Sequence, residues 1–193
     1  YLGHELLSAH GRPGRYGGDL EGRTRFLRSV IEGIRATTPE LAIALRLSIF
    51  DLAPHVPGED GRGRLAPSVT LPYTHAFGGD GTGVGIDLTE THAVLEMVAG
   101  LGVGLVSATA GSPYYVPHVQ RPAYFPPSDG YLPPEDPLVG VARLIEATSE
   151  LTRRHRSLTI IGSGFSYLQE WCAHAGEALL ASGALHMIGL GRM

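Results

Sequence analysis

The residues able to do chemistry gather where apolar runs end. The last stretch, Leu185 to Met193, reads LHMIGLGRM, an apolar run followed at once by Gly189, Gly191 and Arg192. Glycines let backbone N–H groups approach a phosphate, and a guanidinium adds a charge-assisted fork. The preceding apolar run ends in a matching turn, Gly162-Ser163-Gly164. In a parallel α/β sheet, ligands gather at the carboxyl ends of neighbouring strands. The two turns therefore read as an anion seat built from Gly162, Ser163, Gly164, Gly191 and Arg192, or as ordinary surface turns. A third candidate is Arg46, set inside the apolar run Leu41 to Phe50. The run reads as a strand buried on both faces. A buried guanidinium needs a ligand or an ion-pair partner such as Asp51 or Glu40. The loop 111–136 carries Tyr114, Tyr115, His118, Arg121, Tyr124, Phe125 and Tyr131 among seven prolines. Prolines lower the entropy of such a loop, so it reads as a rigid lid or a subunit-packing loop. His118 and Arg121 are its candidates for contact with substrate or cofactor.

The elements that must position these residues alternate. Asp19 is a cap for a helix reaching about Arg35, with Phe26, Val30 and Ile34 on its inner face. Leu41 to Phe50 is the first strand, and residues 51–86 read as a long Gly/Pro-rich excursion. Asp87 and Glu90 suit a capping box for a helix through Val94, Leu95 and Val98 to Gly100. Val103 to Ala108 is a second strand. Asp136 and Pro137 suit N-cap and N1 of a helix with the stripe Leu138, Val141, Ile145, Thr148 and Leu151. Leu158 to Ile161 is a third strand. Ser166 and Gln169 suit a capping box for a helix burying Leu168, Cys172, Ala175 and Leu179, stopped at Gly183. Leu185 to Gly189 is a fourth strand. Strict alternation of helix and strand predicts a parallel sheet with helices on its faces.

Composition narrows the function classes. The chain has 193 residues, 43% of them hydrophobic, and a formal net charge of −4. That charge gives no electrostatic reason to expect nucleic acid or an acidic membrane surface. All 15 Lys+Arg residues are arginine, which excludes a lysine Schiff base and a P-loop lysine. Cys172 is the single cysteine, so a disulfide framework or cysteine-held cluster is excluded. Trp171 and Cys172 read as packing residues. The nine histidines lack HExxH or HxH spacing, and no metal site is expected. The absence of a long apolar run or a signal-peptide pattern predicts a soluble, cytoplasmic protein. Tyr1 at the start and Met193 directly after a strand suggest a segment of a longer protein. A complete eight-stranded barrel takes roughly 250 residues, so four strands here suggest half of one.

Taken in order, the motifs resemble the old yellow enzyme family of FMN-dependent ene-reductases (NADH:flavin oxidoreductases), along nearly the whole chain. The opening YLGHELLS with RxxxRYGG and ExRxRFL is similar to the family's HGYLxxxFLS…R…YGGSxENRxRF stretch. Arg46 in RLS resembles the arginine on the family's fifth strand. GSPYYVPHVQRPAYFPPSDGYLPPEDPLVGVAR resembles one subgroup, and the final GLGRM resembles the Gly-Arg of the eighth strand. Gly22 departs from the family's usual Asn, and Gly14 from its usual Asp.

The resemblance implies an α/β fold, the last four βα units of a (β/α)8 TIM barrel spanning residues 1–193. It implies FMN as cofactor and NADH or NADPH as reductant of activated C=C bonds. Arg46 would place positive charge beside the flavin N1–C2 carbonyl. Gly191 and Arg192, with Gly162, Ser163 and Gly164, would hold the phosphate. Tyr1 matches the tyrosine that protonates the substrate. The family's flavin-cradling strands and its substrate-binding His/Asn or His/His pair would precede Tyr1. The expected partner is a small activated alkene, with a homo-oligomer open. The alternatives are a non-catalytic half-barrel and another phosphate-binding barrel enzyme.

Overall fold

The computed structural model describes residues 2–124 and 130–191. Six strands and six α-helices follow one another along the chain. They are α1 (Leu2–Leu7), α2 (Leu20–Thr37), β1 (Ala44–Ser48), β2 (His55–Pro57), β3 (Gly63–Leu65), α3 (Thr89–Gly100), β4 (Leu105–Thr109), α4 (Pro117–Gln120), α5 (Pro137–Arg154), β5 (Thr159–Gly162), α6 (Cys172–Ala181) and β6 (Met187–Ile188). A 3-10 helix, Phe165–Trp171, leads into α6. The main sheet is parallel and ordered β1-β4-β5-β6, so its strands lie side by side in chain order. β2 and β3 form a small antiparallel hairpin within the 51–86 excursion. No described helix is long and apolar enough to cross a membrane.

The two faces of the main sheet differ. Register pairs Leu45 with Val106, Leu47 with Ala108 and Val106 with Ile160. This face meets the helices, and Leu47, Val106, Ala108 and Ile160 are buried with Ile31, Val94, Leu95, Val98, Leu144 and Leu151. Each fully buried aliphatic side chain contributes about 1.5–3 kcal/mol by leaving water. The other face pairs Ala44 with Leu105, Arg46 with Ser107, Ser48 with Thr109, and Ile161 with Met187. None of those residues is buried. The expectation of a strand buried on both faces is therefore corrected: β1 is covered on one side only.

Local chemistry explains most element boundaries. Asp19 caps α2 by accepting from the Gly22 N–H at 2.8 Å. Asp136 caps α5 by accepting from the Leu138 N–H at 2.8 Å, with Pro137 in the first turn. Gly183, at φ 69°, turns the chain out of α6. Two expected capping boxes do not close. Asp87 accepts from the Thr89 N–H, while Glu90 reaches across to Arg23. Gln169 sits at φ 48° inside the 3-10 segment and kinks it ahead of α6, and Ser166 caps neither element. The inner face of α2 also differs from expectation. Phe26 and Val30 are exposed, and Arg23, Thr24 and Ile31 are buried. Arg23 can be buried because it donates to Leu7 O at 2.7 Å and Gly18 O at 2.9 Å and pairs with Glu90.

Candidate functional site

The carboxyl ends of the four strands are stitched into one rim. The Ile49 N–H donates to Thr109 O at 2.7 Å, and the Gly111 N–H to Phe50 O at 2.8 Å. Ser163 Oγ donates to Ala108 O at 2.7 Å, and the Gly189 N–H to Gly162 O at 2.7 Å. Gly162 is buried, and a Cβ there would meet the Leu185 side chain at 2.9 Å. Gly164 holds φ 94°, the left-handed region that glycine adopts without strain. Neither the Ser163 nor the Gly164 N–H donates to another described residue. Among the described residues both donors at the end of β5 are therefore open, as an anion nest requires. Gly191 continues from β6 as exposed coil. Arg192 and Tyr1 lie outside the described residues.

Arg46 stands at mid-strand on the bare face of β1 and is exposed. The expectation that its guanidinium is buried is thus corrected. The expected ion pair with Asp51 or Glu40 does not form, and Arg46 has no hydrogen bond or ion pair to any described residue. Its charge stays available on the face that also carries Ser48, Ser107 and Thr109.

Above the rim, the two long excursions are joined into one cap. The Gly63 N–H donates to Leu132 O at 2.8 Å, and the Leu132 N–H to Gly61 O at 2.9 Å. The His55 N–H donates to Tyr115 O at 2.9 Å. The joint between them is aromatic. His118 Nδ1 and the Tyr131 hydroxyl are hydrogen-bonded at 2.8 Å, both side chains buried. The His55 ring meets His118 edge-on at 4.9 Å between centroids, and His55 Nδ1 donates to Ala53 O at 2.8 Å. Tyr131 lies so close on Gly63 that a Cβ there would be 2.5 Å from its ring. Burial, reinforced by the neighbouring His55, lowers the His118 pKa to about 4. Burial also lowers His55 and raises Tyr131. His118 is thus neutral and committed to holding the cap together. Arg121, its companion candidate, is exposed just past α4, where its N–H donates to Pro117 O at 2.9 Å.

A second polar group lies where α1 meets the rim. Asp51, three residues past β1, is buried and receives His4 Nε2 at 2.7 Å. The Tyr115 hydroxyl donates to Glu5 at 3.5 Å. The Glu5 charge raises the Tyr115 pKa; burial, then the Asp51 charge, raises Tyr73. Both phenols stay protonated across the physiological range.

Ser163 and Gly164 follow β5, Arg46 stands on β1 without a hydrogen bond or ion pair to a described residue, and Asp51 and Tyr115 follow β1 and β4 at the carboxyl ends of their strands. Such a set can seat an anionic group at one end and offer phenolic protons at the other. The pattern of residue types did not single out His4, His55 or Tyr73, and it named Asp51 only as a possible partner of Arg46. An aspartate directly after an apolar run was the one visible signal, since a carboxylate there needs a partner. No known family model matches the chain.

Proposed function

We propose that these residues are the C-terminal half of an FMN-binding (β/α)8 barrel, from an NAD(P)H-dependent reductase of activated C=C bonds. The carrying observation is the sheet. Four parallel strands lie in chain order, α2, α3 and α5 pack on one face, and the other face holds no buried residue and carries Arg46, which has no partner among the described residues. A doubly wound sheet reverses its strand order and covers both faces, whereas a barrel does neither. All-parallel sheets are otherwise covered on both sides, so the bare face suits a barrel interior closed by further strands. The sequence resemblance to the old yellow enzyme family points the same way.

The residues fit a phosphate-bearing, electron-accepting cofactor. The Ser163 and Gly164 N–H groups, which donate to no described residue, suit the phosphate, with Gly162 shaping the turn, and the resemblance adds Gly191 and Arg192 as further candidates. Arg46 suits the electron-rich edge of an isoalloxazine. FMN, when bound, supplies hydride chemistry at its N5. The chain's own contribution is binding, charge and a proton. Reduction of an alkene would add a hydride with its electron pair at the β-carbon and a proton at the α-carbon, and the proton is the part that the resemblance assigns to the Tyr1 phenol. That phenolate regains its proton from solvent, and NAD(P)H is the two-electron donor.

The test is a chain joining these residues to the strands that complete the barrel. It should retain FMN through desalting and oxidise NAD(P)H only when an activated alkene or oxygen is present. Failure to bind flavin would overturn the reading and favour a different phosphate-binding barrel. The open edges at β1 and β6 favour one further reading of the 193 residues alone, a half that is inactive until paired.

A further inference from the structure

The Ser163 side chain has a role that rests on the proposed function. β4 and β5 pair in register, Leu105 with Thr159, Val106 with Ile160 and Ser107 with Ile161. The Thr159 N–H donates to Gly104 O at 2.9 Å. In a parallel ladder every second residue of a strand turns its N–H and C=O to the same neighbour. Carried along β5 at the same offset, that rule aims the Ile161 N–H at Val106 O and the Ser163 N–H at Ala108 O. Gly162, between them, faces the other way, and its carbonyl accepts the Gly189 N–H at 2.7 Å.

The last bond of that series is replaced. Ser163 Oγ donates to Ala108 O at 2.7 Å, and the Ser163 N–H donates to no described residue. Ala108 is fully buried, so its carbonyl needs a donor. The hydroxyl supplies one, and the ladder closes without drawing on the backbone of residue 163. Gly164, at φ 94°, turns the chain off the strand directly afterwards. A Cβ on Gly164 would lie 3.0 Å from the Leu144 side chain, which fixes the turn from below. We propose that Ser163 is a positioning residue for the anion seat: its hydroxyl stands in for its own N–H on Ala108 O and so leaves that N–H for a phosphate oxygen. The side chain acts on the sheet, and the backbone acts on the ligand.

The experiment uses the completed chain with Ser163→Ala, which removes the hydroxyl, and Ser163→Thr, which keeps it. Three readouts are compared: hydrogen exchange of the amide at position 163 in the flavin-free protein, affinity for FMN, and affinity for riboflavin. Ser163→Ala should slow exchange at position 163 by about tenfold or more, because the N–H moves onto the vacated Ala108 O. Mere loosening of the turn would speed exchange instead. The same variant should weaken FMN by about tenfold and leave riboflavin within about twofold, because only FMN brings a phosphate to that donor. Ser163→Thr should restore most of both effects. Unchanged or faster exchange at position 163 in Ser163→Ala would overturn the assignment. So would an FMN affinity that the variant leaves intact, and so would an equal loss for FMN and riboflavin. A chain that binds neither flavin sinks the functional reading instead, and exchange at position 163 still decides what the hydroxyl does in the ladder.

Discussion

Acid should loosen the cap through His118, and by an amount the structure sets. An ordinary imidazole titrates near 6.5, and burial holds His118 at about 4. The unfolded chain therefore binds this proton first as pH falls. Stability from the neutral ring is fully present above about pH 6.5, is lost progressively below it, and levels off once the folded ring is also protonated near pH 4. The gap is worth about 3 kcal/mol in total, and about 2 kcal/mol of it is gone by pH 5. The assay is urea unfolding of the natural chain and His118→Asn at a series of pH values from about 7.5 to 4.5. His10, His55 and His155 are also lowered by burial and contribute to the acid slope of both proteins. The difference between the curves isolates His118. Near neutrality the variant should be less stable by about 1–3 kcal/mol, because the buried Tyr131 hydroxyl loses its partner. That difference should shrink toward pH 5 as the natural chain loses what the variant never had. Parallel curves across the range would refute the neutral, buried state of His118.

Other consequences follow from particular contacts. Gly63→Ala should cost about 1–3 kcal/mol, because the added Cβ meets the Tyr131 ring; cap-residue amide exchange would localise the loss. Arg46→Ala should change stability by less than about 0.5 kcal/mol, since the side chain is exposed and unpaired among the described residues, yet weaken FMN binding in the completed chain; a large stability loss would contradict that exposed placement. Asp19→Ala should cost about 1 kcal/mol through the lost α2 cap, read by chemical denaturation. His92 Nδ1 and His155 Nε2 are hydrogen-bonded at 2.8 Å, and His92 Nε2 lies 3.1 Å from Glu150. Burial and the neighbouring His92 lower His155. Protonating His155 in this buried contact costs stability, since burial and His92 both oppose its charge. Acidification below about pH 6.5 should then raise amide exchange at the α3–α5 contact, and His155→Gln should flatten that dependence.

What could be read beforehand depended on whether the signal was local. Asp136-Pro137 and Gly183 announced helix ends because capping needs only the neighbouring backbone. The strand alternation was readable because apolar runs and punctuation are local too. The inner face of α2 was not, because Arg23 is buried through Leu7 O and Glu90, which are far away in sequence. Arg46 looked buried for the same reason: an apolar run does not say whether both faces are covered. The β2–β3 hairpin has three-residue strands in Gly/Pro-rich sequence, too short to show a period. The 3-10 segment hid a kink at Gln169, since a capping-box spelling does not fix backbone geometry. At the site, the glycine turn at 162–164 lies on the rim where its spacing placed it. The His4–Asp51 pair joins residues 47 positions apart and had no signature.

The most direct test of the phosphate-and-flavin account compares FMN with riboflavin, which differs by the phosphate alone. Calorimetric titration of the completed chain should show FMN binding at least about tenfold more tightly, because the proposed seat would hold the phosphate through backbone N–H donors and a guanidinium. Equal affinity for the two, or no binding of either, would contradict the account.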